Sequence, residues 1–153
     1  MQLDWESLVK RYVYNDAKTP YFTAVPRLKR GQARSELFVY TLFLTVLLSV
    51  IGVAALSPAL PHGGAIGVPI YAFAVAITAV VFGLTKHVAA AAFCATAPAA
   101  ALLYFALYGF QPDLGTGDRI LLIVVVLLWL RYSWRILQIA KVYPTLPDPG
   151  APG

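Results

Sequence analysis

The sequence predicts an all-α integral membrane protein: a bundle of four transmembrane helices with an amphipathic interfacial helix at the N-terminus. Three observations predict it. Of 153 residues, 59% are hydrophobic and only 12% charged, with a mean hydropathy of +0.71. A soluble domain carries about 25% charged residues, and a chain this short has too much surface to cover with half of that. Low hydrophobicity, which disorder requires, is absent. Secondly, the apolar residues are gathered into long uncharged runs. Thirdly, these runs do not alternate, as residues 121–130 illustrate. A barrel, the other structure that satisfies its backbone in lipid, would alternate.

Residues 1–35 form a cytoplasmic or interfacial segment. Asp4 can cap a helix whose apolar positions Trp5, Leu8, Val9, Tyr12 and Val13 fall at i, i+3, i+4, i+7 and i+8. Glu6, Lys10 and Arg11 lie off that stripe. Such a helix is too short to span a bilayer, so it lies in the headgroup plane or docks on a partner. Residues 18–26, with Pro20 and Pro26, read as extended loop, and Gly31 interrupts the approach to the first span. The first 35 residues hold no apolar signal-peptide core, so the first span is expected to remain as an anchor.

The transmembrane domain covers 36–143. About 20 apolar residues in a helix cross a hydrocarbon core roughly 30 Å thick. The spans are expected at 37–56, stopped by Ser57 and Pro58, at 67–84, at 88–110 with a bend at Pro98, and at 120–140. Residues 144–153, with four prolines and two glycines, read as a free tail unless a partner holds it.

Basic residues set the orientation. Placing the N-terminus, the second connection and the C-terminus on one side puts eleven of the twelve Lys and Arg residues there and leaves Arg119 on the other. Both termini are therefore expected in the cytoplasm, and the Ala-rich composition suits a bacterial inner (plasma) membrane. Tyr71, Tyr104 and Tyr108 fall at the outer interface. Tyr40, Trp129, Tyr132, Trp134 and Tyr143 fall toward the cytoplasmic one. Tyr104 and Tyr108, one turn apart, read first as part of an aromatic belt and second as a ligand shelf. The net charge of +5 flanks apolar runs, which points to anionic lipid headgroups rather than nucleic acid.

Charge inside a span is the usual mark of function. The first three spans hold none, which argues against a cation-coupled carrier or a charged channel filter. The fourth has 11 apolar residues before Arg131, so at about 1.5 Å per residue that arginine falls ~17 Å along the helix. Arg131, Arg135 and Gln138 make a polar stripe. Snorkelling toward headgroups explains such a stripe, and so does burial against protein. Glu36, at the start of the first span, is the acidic residue placed to pair with Arg135 or Arg131.

In the third span, Ala91, Ala95 and Ala99, and beside them Ala92, Thr96 and Ala100, form small-residue rows that let helices approach closely. His62 and His87 are expected on opposite surfaces, too far apart to share a haem iron. The lone Cys94 excludes an intrachain disulfide and Cys-pair metal sites. No cofactor, metal or catalytic constellation is expected. The reading is a non-catalytic accessory or scaffold subunit that binds other membrane subunits or itself. The alternative is a small transporter or a lipid- or quinone-binding protein using the Arg131/Arg135 stripe.

Overall fold

The structure, a computed structural model, describes residues 23–58 and 65–147. The predicted interfacial helix with Trp5, Leu8, Val9, Tyr12 and Val13 lies outside these residues, as do His62 and the last six residues of the tail.

Among the described residues there are five α-helices: α1 (Arg30–Ala55), α2 (Gly67–Thr85), α3 (Val88–Cys94), α4 (Ala97–Tyr108) and α5 (Thr116–Val142). They make four stretches long and apolar enough to cross a membrane, α3 and α4 together forming the third. No strand occurs among the described residues.

α1 starts seven residues before the apolar run because its polar first turns are themselves helix formers. Gln32 Oε1 accepts the Lys29 N–H at 3.1 Å and satisfies one of the donors a helix start leaves open. α5 likewise begins earlier than the predicted span, at Thr116. Its 27 residues run about 40 Å at 1.5 Å per residue.

The third span is two helices. Pro98 has no N–H for the carbonyl one turn back, so the chain tightens ahead of it. The Phe93 carbonyl instead accepts the Thr96 N–H at 3.1 Å and the Thr96 hydroxyl at 2.6 Å. Pro98 then sits in the first turn of α4, where its missing donor costs nothing. The break thus falls at Ala95–Thr96, just before the predicted bend.

α1 and α2 pack along their whole length. Leu37, Thr41, Leu44, Leu48 and Gly52 of α1 face Ala72, Val75, Ala76, Ala79 and Phe82 of α2, and all are buried. Two glycines stand at tight points of this seam. A Cβ on Gly52 would lie 3.0 Å from the Phe73 ring, and one on Gly83 would lie 3.1 Å from the Thr41 hydroxyl.

The core is displaced toward the end where α1 begins and α5 finishes. Ile136, Ile139 and Ala140 of α5 are buried there with Ala91 and Cys94 of α3. α4, by contrast, buries only Ala97 and Pro98.

The first residues of the predicted free tail are docked. After a 3₁₀ turn (Tyr143–Thr145), Leu146 is buried near Leu28. The Arg30 N–H donates to the Pro147 carbonyl at 3.3 Å, and the Arg30 guanidinium lies 5.5 Å from the centre of the Tyr143 ring. An apolar Leu146 that can reach the core outweighs the flexibility its proline neighbours suggest.

Candidate functional site: a buried polar ladder and an apolar cavity

Two features stand out, one at each end of the bundle. The first is a ladder of polar contacts between antiparallel α1 and α5. Glu36, Tyr40 and Phe43 succeed one another along one face of α1 at the i, i+4, i+7 spacing of a helix. Opposite them on α5 stand Arg135, then Tyr132 and Ser133, then Trp129.

At the first rung Glu36, wholly buried, accepts two hydrogen bonds from Arg135: Nε to Oε1 at 2.7 Å and Nη2 to Oε2 at 3.2 Å. This is the bidentate geometry that suits a guanidinium and a carboxylate. The Arg135 side chain keeps 21% of its surface exposed. Of the two partners open to Glu36 in the sequence, the structure selects Arg135.

Arg131 and Gln138, the other members of the predicted stripe, are exposed. At 100° per residue the three positions spread over an arc, and only Arg135 falls on its inner edge. The polar stripe is therefore divided: one residue faces protein and two face outward.

The second rung escaped sequence reasoning. The Tyr40 and Ser133 hydroxyls share a hydrogen bond of 2.8 Å, and both residues are buried. Tyr40 reads in the sequence as an interfacial aromatic. The signal that would have placed it is helical phase, since Tyr40 follows Glu36 by one turn and Ser133 lies in the buried series Val126, Ser133, Ile136, Ala140. Tyr132 packs on Tyr40 with ring centres 5.9 Å apart. Below them Trp129 meets the Phe43 ring edge-on at 6.2 Å. Trp129 Nε1 is buried without a well-aligned hydrogen-bond partner among the described residues.

Around the ladder lies a basic rim. Arg27, Lys29, Arg30, Arg34, Lys86, Arg131 and Lys141 belong to the end of the molecule that holds Glu36. Lys86 caps α2 in a left-handed conformation (φ 56°), and its ammonium donates to the Gly83 carbonyl. Desolvation, and secondarily the nearby positive charge of Arg34, hold its pKa below the ordinary value. His87 is an exposed turn residue whose Nδ1 accepts the Ala89 N–H at the start of α3.

The second feature is a cavity of about 510 Å³ at the other end, between the closing half of α1, the opening half of α2, and α4. It exists because α4 leaves the break at Ala95–Thr96 packed on α5 rather than on α2. Alanines Ala54, Ala72, Ala97, Ala100 and Ala101 stand among larger apolar and aromatic lining residues. Trp129 lies among its walls, and Tyr104, Tyr108 and Gln111 line its α4 side. The Tyr104 and Tyr108 rings are 5.1 Å apart. Tyr71, another lining residue, shares a 2.7 Å hydrogen bond with Thr96.

The small-residue rows of the third span do not form continuous packed faces. Ala91 is buried, Ala95 and Ala100 are half-buried, and Ala92, Thr96 and Ala99 are exposed. The turn at Ala95–Thr96 shifts the helical phase between their two halves. Close approach is made instead on the α1–α2 seam.

No group of three or more His, Cys, Asp or Glu side chains with metal-binding geometry occurs among the described residues. The chain matches no family model, no curated protein and no solved structure.

Proposed function

We propose that this chain is a multi-pass protein of a bacterial inner membrane, with both termini cytoplasmic, that serves as a non-catalytic accessory or scaffold subunit of a larger membrane complex. One observation carries the reading. The buried carboxylate and hydroxyls between α1 and α5 bond within the protein, Glu36 to Arg135 and Tyr40 to Ser133, while the helices turn apolar faces outward. In α5 only 17% of the most apolar stretch is buried inside the protein, leaving Leu121, Val124, Val125 and Leu128 exposed. Groups already committed to each other stabilise a fold and have little left to offer a reaction. Outward apolar faces suit lipid and neighbouring helices alike. The basic rim suits anionic headgroups on the cytoplasmic side.

The test is extraction from native membranes in mild detergent, followed by a native gel. Partner chains in fixed stoichiometry support the subunit reading, and a lone chain or a small homo-oligomer overturns it.

A second reading, a small lipid- or quinone-handling protein, is favoured by the cavity rather than by the arginine stripe. Arg135 is engaged with Glu36, so an anion held by both Arg131 and Arg135 would have to compete with a buried carboxylate. If Arg131→Leu abolishes retention of a bound anionic lipid, the stripe version stands. Unchanged retention removes it.

A further inference from the structure

We propose that the cavity between α1, α2 and α4 binds one acyl chain of a membrane lipid, taken from the leaflet at the Tyr108 end of the bundle. The inference rests on the membrane placement proposed above and not on the subunit role.

Three observations choose the occupant. The first is chemistry along the cavity's length. Leu48, Ala72, Ala97 and the Trp129 ring line its inner part, while Tyr108 and Gln111 stand at its outer end. The inner lining is chiefly hydrocarbon, its Tyr71 hydroxyl is already bonded to Thr96, and the exposed polar side chains Tyr108 and Gln111 stand at the mouth. A ligand therefore enters tail first and keeps its polar head at the surface.

The second is length. The α4 wall runs from Ala97 to Tyr108, which at about 1.5 Å per residue is roughly 16 Å. That is close to half of a hydrocarbon core about 30 Å thick, the depth of one leaflet and the reach of one lipid chain. The third is volume. At about 510 Å³ the cavity falls within the roughly 300–1,000 Å³ range of preformed small-molecule sites. The alanines of the wall make that room, since each larger side chain there would project into it.

The proposal is tested on the full-length chain purified in mild detergent and examined by native mass spectrometry. Carbonate-washed membranes are checked first. A chain that washes off refutes the membrane placement itself, separately from the ligand. For a retained chain, the expected spectrum shows one phospholipid mass per chain. Ala100→Phe and Ala101→Trp, which fill the cavity from α4, are each expected to reduce that adduct at least tenfold. Ala92→Phe, on the exposed face of α3, leaves it unchanged. Melting temperatures of all three variants identify any that fail to fold. Leu107→Trp, nearer the mouth, stands in for a filling variant that does fail. A quinone or detergent mass in place of phospholipid, no adduct at all, or an adduct unaffected by folded filling variants would each overturn the proposal.

Discussion

At the scale of single residues, the ion pair between Glu36 and Arg135 makes an unequal partnership. Glu36 is wholly buried, whereas the Arg135 side chain keeps 21% of its surface exposed. Removing the arginine strands a carboxylate that cannot reach water or headgroups. Removing the glutamate leaves a long cation that can turn outward. Arg135→Leu should therefore destabilise by the order of 3–5 kcal/mol expected when a buried pair loses one member, and Glu36→Leu by clearly less. Thermal unfolding in mild detergent ranks the two. Equal losses, or the reverse order, would show that burial of Glu36 does not set the cost. Exchanging the charges, Glu36→Arg with Arg135→Glu, should recover part of what either single exchange loses.

Lys86 offers a second test at this scale. Its pKa in the folded protein is lowered from 10.5, first by desolvation and then by Arg34. In the interval between the lowered value and 10.5 the unfolded chain binds more protons here than the folded one. The Lys86 contribution to stability accordingly rises with pH across that interval and is least favourable below it. Stability of the native chain relative to Lys86→Gln should increase between neutral and strongly alkaline pH. A difference independent of pH would contradict the shift. Arg34→Gln should flatten the dependence without removing it, because desolvation is the larger cause.

At the scale of elements, the tightest packing lies between α1 and α2, where Gly52 and Gly83 admit the Phe73 ring and the Thr41 side chain. Gly52→Leu should force the helices apart and cost roughly 1–3 kcal/mol, as overpacking does in a filled core. Gly31 is the control. Nothing lies within 4 Å of a Cβ built on it, and because it stands in the first turn of α1 rather than its interior, its change to alanine should leave stability level or slightly raised. Melting temperatures that fall for Gly31→Ala and hold for Gly52→Leu would refute this account of the seam.

These elements also show where sequence reading succeeds. Uncharged runs announce the four stretches long and apolar enough to cross a membrane, because length and composition alone define them, whatever the partner helix. The polar stripe on α5 was legible because arginine is rare inside such a run. Tyr40–Ser133 was not, since neither residue is unusual alone and only the phase of two separate helices joins them. The small-residue rows of the third span misled in another way. Their spacing assumes one continuous helix, and the turn at Ala95–Thr96 separates their halves. The cavity was still less legible. It depends on how far α4 diverges after that turn, a property of packing rather than of any run of residues. Tyr104 and Tyr108 could be paired from their spacing, but no sequence feature showed that they line a cavity.

For the whole molecule, the decisive property is the unequal distribution of charge between its ends. Arg34 lies close enough to Lys86 to affect its pKa, Arg30 bonds to the Pro147 carbonyl, and Glu36 bonds to Arg135. The fold thus gathers the start of α1, the α2–α3 turn and the end of α5 at one end, which carries all the described Lys and Arg residues except Arg119. Arg119 is held at the opposite end, its Nε donating to the Leu114 carbonyl at 2.9 Å. Lys and Arg near the ends of spans are retained on the cytoplasmic side, so the basic end should face the cytoplasm and the 109–115 loop should face outward. The chain's lone thiol makes this directly measurable. Cys94 is fully buried, so it should stay silent to a membrane-impermeant maleimide. Single cysteines can then be introduced at two exposed sites, Asp113 in the outer loop and Thr145 beyond α5. In intact cells with a permeable outer envelope, Asp113→Cys should label at once and Thr145→Cys only after lysis. The opposite pattern would invert the molecule in the membrane, and labelling of both before lysis would refute the four-span arrangement.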